Sequence, residues 1–409
     1  MGLFLMTGTR VKGSASMHRL LTPIVFLFLL FALSCTVAAS FGTKEFESAL
    51  DAVTSSELKY ASAVKLLKEG AESFPMRETV IRGAQDYLLI QTFIFRKNPI
   101  SQDLVNLLEE KGSQGTVIKF IYDWLGSFVY SPFFLCKLND LPIDVRTHVA
   151  FWGDQRGVNR IWHEKIIVAD GSSAIIGGMH FEELNLERNK LWRTVAPQRD
   201  IDIYVEGPIV KDIQDSFVEN WQIIGGEELS FVQHPKDVSE HDSENLIPMR
   251  FVAQKPLTHK EYRINNLYVE AINAAKEHIY LETPFFSPAF EIIEALVAAA
   301  RRGVDIVFLT NSVRTLDLSY RYVISRMYYP VFLREGIKIF EMQGRMTHAK
   351  YAVFDGVYSI VGSYNLDFRS GYLDTECMLA FYSPELSEEL IEWFEEGLTE
   401  AKEVFSLFW

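Results

Sequence analysis

Apolar runs and amphipathic stretches alternate along this chain, and the same order of them occurs twice. In the first pass Leu58, Ala61, Val64, Leu67, Ala71 and Phe74 are spaced three or four apart, which predicts a helix over 57–74. Thr54 and Glu57 have capping-box spacing at its start. Residues 77–85 read as a second helix. Tyr87 to Phe95 is rich in apolar residues and predicts a buried strand. A helix over 102–111 and, after Gly115, a strand over 117–122 follow. Further on, Arg199 to Pro208 reads as a strand with Asp200 and Asp202 on one face, and Asp212 to Trp221 as a closing helix. A polar stretch over 233–248 interrupts the periodicity. The order then recurs: helix over 268–277, strand over 278–286, helix over 290–302 and strand over 303–309. An aromatic, basic stretch follows over 319–332, then a final amphipathic helix over 384–405 with Ser383 as its cap. Alternating helices and apolar strands predict an α/β fold.

One stretch is repeated in a constant register. His163-Glu164-Lys165 is followed by Asp170-Gly171, Gly177-Gly178 and His180; His348-Ala349-Lys350 is followed by Asp355-Gly356, Gly362-Ser363 and Asn365. The differences 348 − 163, 350 − 165, 355 − 170 and 362 − 177 are all 185. Each copy reads as a buried strand, a tight Asp-Gly turn and a returning strand. His and Lys, two apart, share a face. One such pair would be an ordinary feature of a strand; two in the same register point to a duplicated site.

Composition narrows the class. The chain has 409 residues and is 48% hydrophobic and 13% aromatic, enough for a large core. Its net charge of −14 argues against a non-specific nucleic-acid binder. Three cysteines, Cys35, Cys136 and Cys377, make no disulfide framework; pairing of the last two is left open. Residues 1–19 carry Arg10, Lys12 and Arg19 and no acid, and residues 20–33 are apolar apart from Thr22 and Pro23. A basic segment, an apolar segment and small residues up to Ala39 describe an export signal. A retained anchor and a lipid on Cys35 are the other two readings, and Met17 rivals Met1 as the start. All three readings place the body outside the cytosol, next to a membrane. The expected organisation is 1–39 as signal or anchor, 40–235 and 251–409 as two halves, and 236–250 as linker. Aromatics over 128–152 (Phe128, Tyr130, Phe133, Phe134, Phe151, Trp152) read as core, with an acyl-chain wall as the alternative. Asp123 reads equally as a helix cap or a ligand-facing residue.

Phosphodiester cleavage by displacement needs a nucleophile, cations for the charged oxygens and an acid for the leaving alkoxide. Two imidazoles facing each other across the phosphate supply the first and last. Lys165 and Lys350 would hold the non-bridging oxygens. Asn365, with the small residues Gly178 and Ser363, would add neutral donors. A carboxylate behind each imidazole would fix its tautomer.

The pattern H-x-K-x4-D-x6-G-[GS], present twice, resembles the signature of the phospholipase D superfamily. Residues 121–127, 199–208 and 361–370 resemble its cardiolipin synthase and bacterial phospholipase D branch, and the likeness covers nearly all of 58–405. The resemblance implies two pseudo-symmetric α/β/α sandwich halves with mixed sheets and one shared active site. It implies His163 as nucleophile and His348 as acid. Asp170 and Asp355 complete the catalytic motif, mainly as buttresses, and Asp200 and Glu376 are the orienting carboxylates, with Asp202 a rival to Asp200. His180 stands where the family usually has Asn. Cardiolipin synthases often carry two N-terminal spans, and this chain shows at most one.

The sequence therefore reads as a phosphodiesterase or phosphatidyltransferase acting on membrane phospholipids through a phosphohistidine, with water or an alcohol as acceptor. No metal or cofactor is expected: there is no phosphate loop, GxSxG or HExxH, and His163, His180 and His348 lack zinc-site spacing. Nucleic acid is not the expected partner. An exported nuclease and a non-catalytic anionic-lipid scaffold are the alternatives.

Overall fold

The computed structural model describes residues 39–128, 131–148, 160–182, 197–231, 246–259, 261–316 and 319–405. The expected signal or anchor before Ala39, most of the linker, Cys35, Tyr130, Phe151 and Trp152 lie outside them.

The described residues form two mixed sheets. In chain order the strands are β1 (Lys59–Ala61), β2 (Ala63–Lys68), β3 (Tyr87–Thr92), β4 (Val117–Asp123), β5 (Asp144–His148), β6 (Ile166–Ala169), β7 (Ser173–Gly177) and β8 (Ile201–Glu206). They continue with β9 (Ile247–Gln254), β10 (His278–Glu282), β11 (Asp305–Asn311), β12 (Lys338–Met342), β13 (Tyr351–Phe354), β14 (Tyr358–Gly362), β15 (Glu376–Tyr382) and β16 (Ala401–Glu403). The first sheet runs β2-β8-β7-β6-β3-β4-β5 and the second β1-β9-β15-β14-β13-β10-β11-β12-β16. Without β1 and β16 the two orders are the same. In each sheet three parallel strands (β3-β4-β5, β10-β11-β12) adjoin an antiparallel hairpin (β6-β7, β13-β14).

Helices cover the sheets because the strands are apolar on both faces. Helix Ile209–Ile223 and helix Pro384–Thr399 bring Phe217, Trp221, Leu390, Trp393 and Phe394 into one core with β6, β8, β13 and β15. That shared core joins the halves. Helices Glu69–Gly83 and Pro99–Ser113 cover the other face of the first sheet through Ile81, Leu104 and Leu108. Ser383 caps the last long helix by accepting from Leu386 N at 3.3 Å.

The helix expected over 57–74 does not form. The chain there makes β1 and β2, and a helix starts only at Glu69. Leu66 and Leu67, adjacent on β2, point to opposite faces and enter the shared core and the outer core respectively. Two-sided burial with a long-range ladder to β8 outweighs a local helical spacing. Thr54 ends helix Lys44–Thr54, its hydroxyl donating to Leu50 O at 2.6 Å, rather than capping a new helix. The last helix likewise stops at Thr399, and β16 pairs with β12.

Residues 40–61 pack on the second sheet, not the first. β1 pairs with β9, Arg250 binds Glu47 at 3.0 Å and Asp51 at 2.7 Å, and Phe41 stacks on Tyr358. β9 begins at Ile247, inside the stretch expected as linker. Cys136 and Cys377 are both free, the first exposed and the second buried.

Candidate active site

Each His-x-Lys segment is extended chain just ahead of its strand, and each is strapped to the other half. Trp162 bridges Thr375 in parallel, and His163 N donates to Thr375 O at 3.0 Å. Arg199 bridges Thr347 in the same way, and His348 N donates to Arg199 O at 2.6 Å. In both straps the residue before a histidine meets the residue before a carboxylate. The carboxylates are therefore exchanged. Glu376, in the second half, lies 3.1 Å from His163 Nδ1, and Asp200, in the first half, lies 2.7 Å from His348 Nδ1.

These bonds leave each Nε2 as the nitrogen available to a substrate. His163 Nδ1 also lies 3.2 Å from Ser363 O. Lys350 Nζ is 2.8 Å from His348 Nδ1; only one partner can use that nitrogen, and we assign its proton to the bond with anionic Asp200. Both lysines donate to the carbonyl of their own histidine, two residues back. Ser363 Oγ donates to Glu376 Oε2 at 2.5 Å and Ser370 Oγ to Oε1 at 2.6 Å. His180 sits between the pair, its ring 6.0 Å from that of His163 and 5.5 Å from that of His348. Phe93 packs on His163 at 5.2 Å.

The small residues serve the carboxylates. A Cβ on Gly178 would lie 2.1 Å from Asp200 Oδ1, and one on Gly177 2.2 Å from Asp202 Oδ1. Their absence of side chains makes room for the neighbouring strand's acids, a role distinct from the neutral donor expected of Gly178. Asn365 is buried, and its Oδ1 has no partner among the described residues.

The motif aspartates are not in this constellation; they buttress it from the hairpin turns. Asp170 and Asp355 occupy the hairpin turns with left-handed φ of 53° and 49°, followed by Gly171 and Gly356 at 60° and 65°. Asp170 accepts from Gln85, Asp86 and Tyr87 N at 2.8, 2.9 and 2.8 Å. Asp355 accepts from Lys276, Glu277 and His278 N at 2.8, 2.8 and 3.0 Å. Each clamps the start of the next strand, β3 or β10. Asp202, the rival to Asp200, is occupied by Arg77 at 2.6 Å and Ser73 at 2.5 Å. Asp123 is a cap, accepting from Gly126 N at 3.1 Å, and also holds Trp162 N at 3.0 Å.

Burial and crowded positive charge set the protonation states. Burial, then Lys165 and Lys350, push the His163 imidazole well down. His180 is pushed down in the same way by burial, Lys165 and His348. His348 is lowered by burial and Lys350, with Asp200 opposing. The two carboxylates differ. Burial pushes Glu376 up to about 7, against Lys165 and two serine hydroxyls. Burial also works against ionised Asp200, but Lys350 and His348 outweigh it and hold it below the usual range. Burial lowers Lys165 to about 7 and Lys350 to about 8, with Glu376 and Asp200 opposing. An arriving phosphodiester anion would raise every one of these nitrogens.

The family model described as "Cardiolipin synthase, PLD-like domain" matches residues 268–398. Cardiolipin synthase A of Pseudomonas syringae is 30% identical over 343 residues, which cover 83% of this chain and 69% of that protein. The chain belongs to the cardiolipin synthase family, with a phospholipase D-like domain. Another family member, cardiolipin synthase 2 of Bacillus cereus, is 27% identical over 349 residues, 85% of this chain. The chain spans 66% of that relative's length. Among solved structures, phosphatidylserine synthase of Haemophilus influenzae shares the fold with a TM-score of 0.67 at 13% identity, covering 89% of this chain and 93% of that one. The expected fold, two phospholipase D-like halves with mixed sheets, is the one observed.

Ser370, Arg199 and Thr347 are site-building residues that sequence reasoning passed over. Ser370 stood seven residues after Ser363 in a matching stretch, and that was the available signal. Arg199 opens the matching stretch 199–208, but its partners had no local mark: its Nε lies 2.9 Å from Glu282 and its guanidinium is 3.6 Å from the Trp393 ring, both in the other half.

Proposed function

We propose that the protein transfers phosphatidyl groups between membrane phospholipids and alcohols, as a cardiolipin synthase-like phosphatidyltransferase acting through a phosphohistidine. The observation that carries this reading is the crossed pair, His163 on Glu376 and His348 on Asp200, in one buried, lysine-lined centre. His163, neutral and beside a carboxyl that is itself half protonated near neutrality, is suited to attack phosphorus through Nε2. His348, backed by ionised Asp200, is suited to carry a proton to the leaving alkoxide. The His163–phosphorus bond forms as the bond from phosphorus to the headgroup oxygen breaks, and that oxygen leaves with the proton of His348. An acceptor hydroxyl then gives its proton to His348 and displaces His163. Lys165 and Lys350, turning from their carbonyls, would neutralise the non-bridging oxygens. Burial of the centre supports an alcohol acceptor over bulk water. The basic and apolar residues 10–33 support an exported or membrane-associated location.

The test is full-length protein with vesicles containing phosphatidylglycerol, products resolved by mass spectrometry, and His163→Ala as control. Cardiolipin formed by the wild type alone supports transfer. Phosphatidic acid alone would replace transfer with hydrolysis. Absence of lipid product from folded protein would sink the lipid reading and direct assays to single-stranded DNA.

A further inference from the structure

Helix Ser319–Arg334 has two apolar faces, and the fold uses one of them. Tyr322, Tyr329 and Phe332 are buried, Phe332 against Phe286 and Phe308. On the opposite side Tyr320, Val323, Ile324, Met327 and Val331 are 57, 45, 41, 72 and 40% exposed. On a 3.6-residue period these five fall within an arc of roughly 100°. Residues 319–334 also hold Arg321 and Arg334 and no acid, in a chain of net charge −14; Arg326 is turned inward, paired with Glu341 at 3.3 Å. Arg321 lies 3.9 Å from the Phe285 ring, and its charge reaches His163. Segment 285–287 leads on from there: Phe286 N donates to Ser325 Oγ at 3.2 Å, and Ser287 N to Leu366 O at 2.9 Å. Beside it stand exposed Phe290 and Phe368.

We propose that this outward face rests on an anionic phospholipid membrane, with the helix lying in the interface and its first turn beside the active site. The inference rests on the phospholipid reading of that site. An apolar stripe flanked by arginines and tyrosines matches an interfacial helix. Among the described residues no helix is long and apolar enough to cross a membrane, so contact through this helix is lateral. A second copy is the poorer occupant, since a twofold contact through this face would set arginines against arginines. A two-tailed lipid leaves the bilayer at great cost, so a docked site receives headgroups without extracting the chains.

The experiment compares full-length wild type with Val323→Ser/Met327→Ser/Val331→Ser on two substrates: dihexanoyl phosphatidylglycerol as monomers, and vesicles of phosphatidylglycerol and phosphatidylcholine. The expected result is monomer turnover within about twofold of wild type, which also certifies folding, and vesicle turnover at least tenfold lower. Unchanged vesicle turnover overturns the proposal. A polarity-sensitive dye on Met327→Cys, with Cys35→Ser and Cys136→Ser, gives a readout independent of activity. Blue-shifted emission on phosphatidylglycerol vesicles supports docking, even if wild type turns over neither lipid and the phospholipid reading fails. No shift overturns it, and no shift with a dye response to protein concentration assigns the face to a second copy instead.

Discussion

His163 and His348 occupy equivalent places in a repeated motif, yet their electrostatic surroundings differ, and that difference supports the roles proposed for them. Asp200 stays ionised behind His348, whereas burial holds Glu376 near pH 7 behind His163. Asp200→Asn removes an anion that supports the imidazolium. The alkaline limb of the kcat–pH profile is expected to move to lower pH, and kcat to fall on the order of 10²–10⁴. Glu376→Gln mimics a form already populated near neutrality and is expected to cost only about tenfold. Equal losses in the two profiles would refute the asymmetry. Glu164, between His163 and Lys165, shows the same physics without chemistry. It is fully buried, held by Gln91 at 2.7 Å and by Asn220, and burial raises it to about 7. A carboxyl raised in the folded state stabilises at low pH, and that contribution is lost as pH rises from about 4.5 through about 7. Glu164→Gln is thus expected to be near neutral at pH 5 and to stabilise by on the order of 1–3 kcal/mol at pH 8, read from urea unfolding at both pH values.

Among the elements, the hairpins were legible and the N-terminal strands were not. The Asp-Gly turn announces itself because both positions need left-handed backbone, which Asp tolerates and Gly prefers. The carboxylate's three amide bonds to the neighbouring strand's start left no local mark, so the aspartates' buttressing role was legible only through the family resemblance. Asp170→Asn keeps the turn and weakens the clamp. It is expected to cost roughly 1.5–3 kcal/mol in unfolding free energy while leaving kcat of the folded protein within about twofold. A loss of kcat with unchanged stability would return Asp170 to the chemistry. The stretch 57–74 was misread for a complementary reason. Periodicity reports one buried face, and β2 has two, with Leu66 and Leu67 entering different cores.

For the whole molecule, the exchanged carboxylates mean that neither half holds a complete site. Arg199 forms one of the two straps and is fully buried, with Glu282 of the other half as its partner. Arg199→Met would leave Glu282 buried and uncompensated, an expected loss of roughly 3–5 kcal/mol. Arg199→Met/Glu282→Gln is expected to recover part of it, measured as the coupling in a double-mutant cycle; strict additivity would refute the pair. The family resemblance supplied the candidate carboxylates Asp200 and Glu376; the chain itself carried the duplication, both His-x-Lys pairs, the α/β class and the hairpins. These follow from chain-local spacing and residue chemistry, which need no knowledge of neighbours. The packing of the folded chain settles which carboxylate faces which histidine, that Asp202 belongs to Arg77, that residues 40–61 join the second sheet, and that one face of helix Ser319–Arg334 stays bare. Each of those depends on contacts between residues far apart along the chain, whose pairing is set by how two sheets pack through one core and not by any periodicity within a segment.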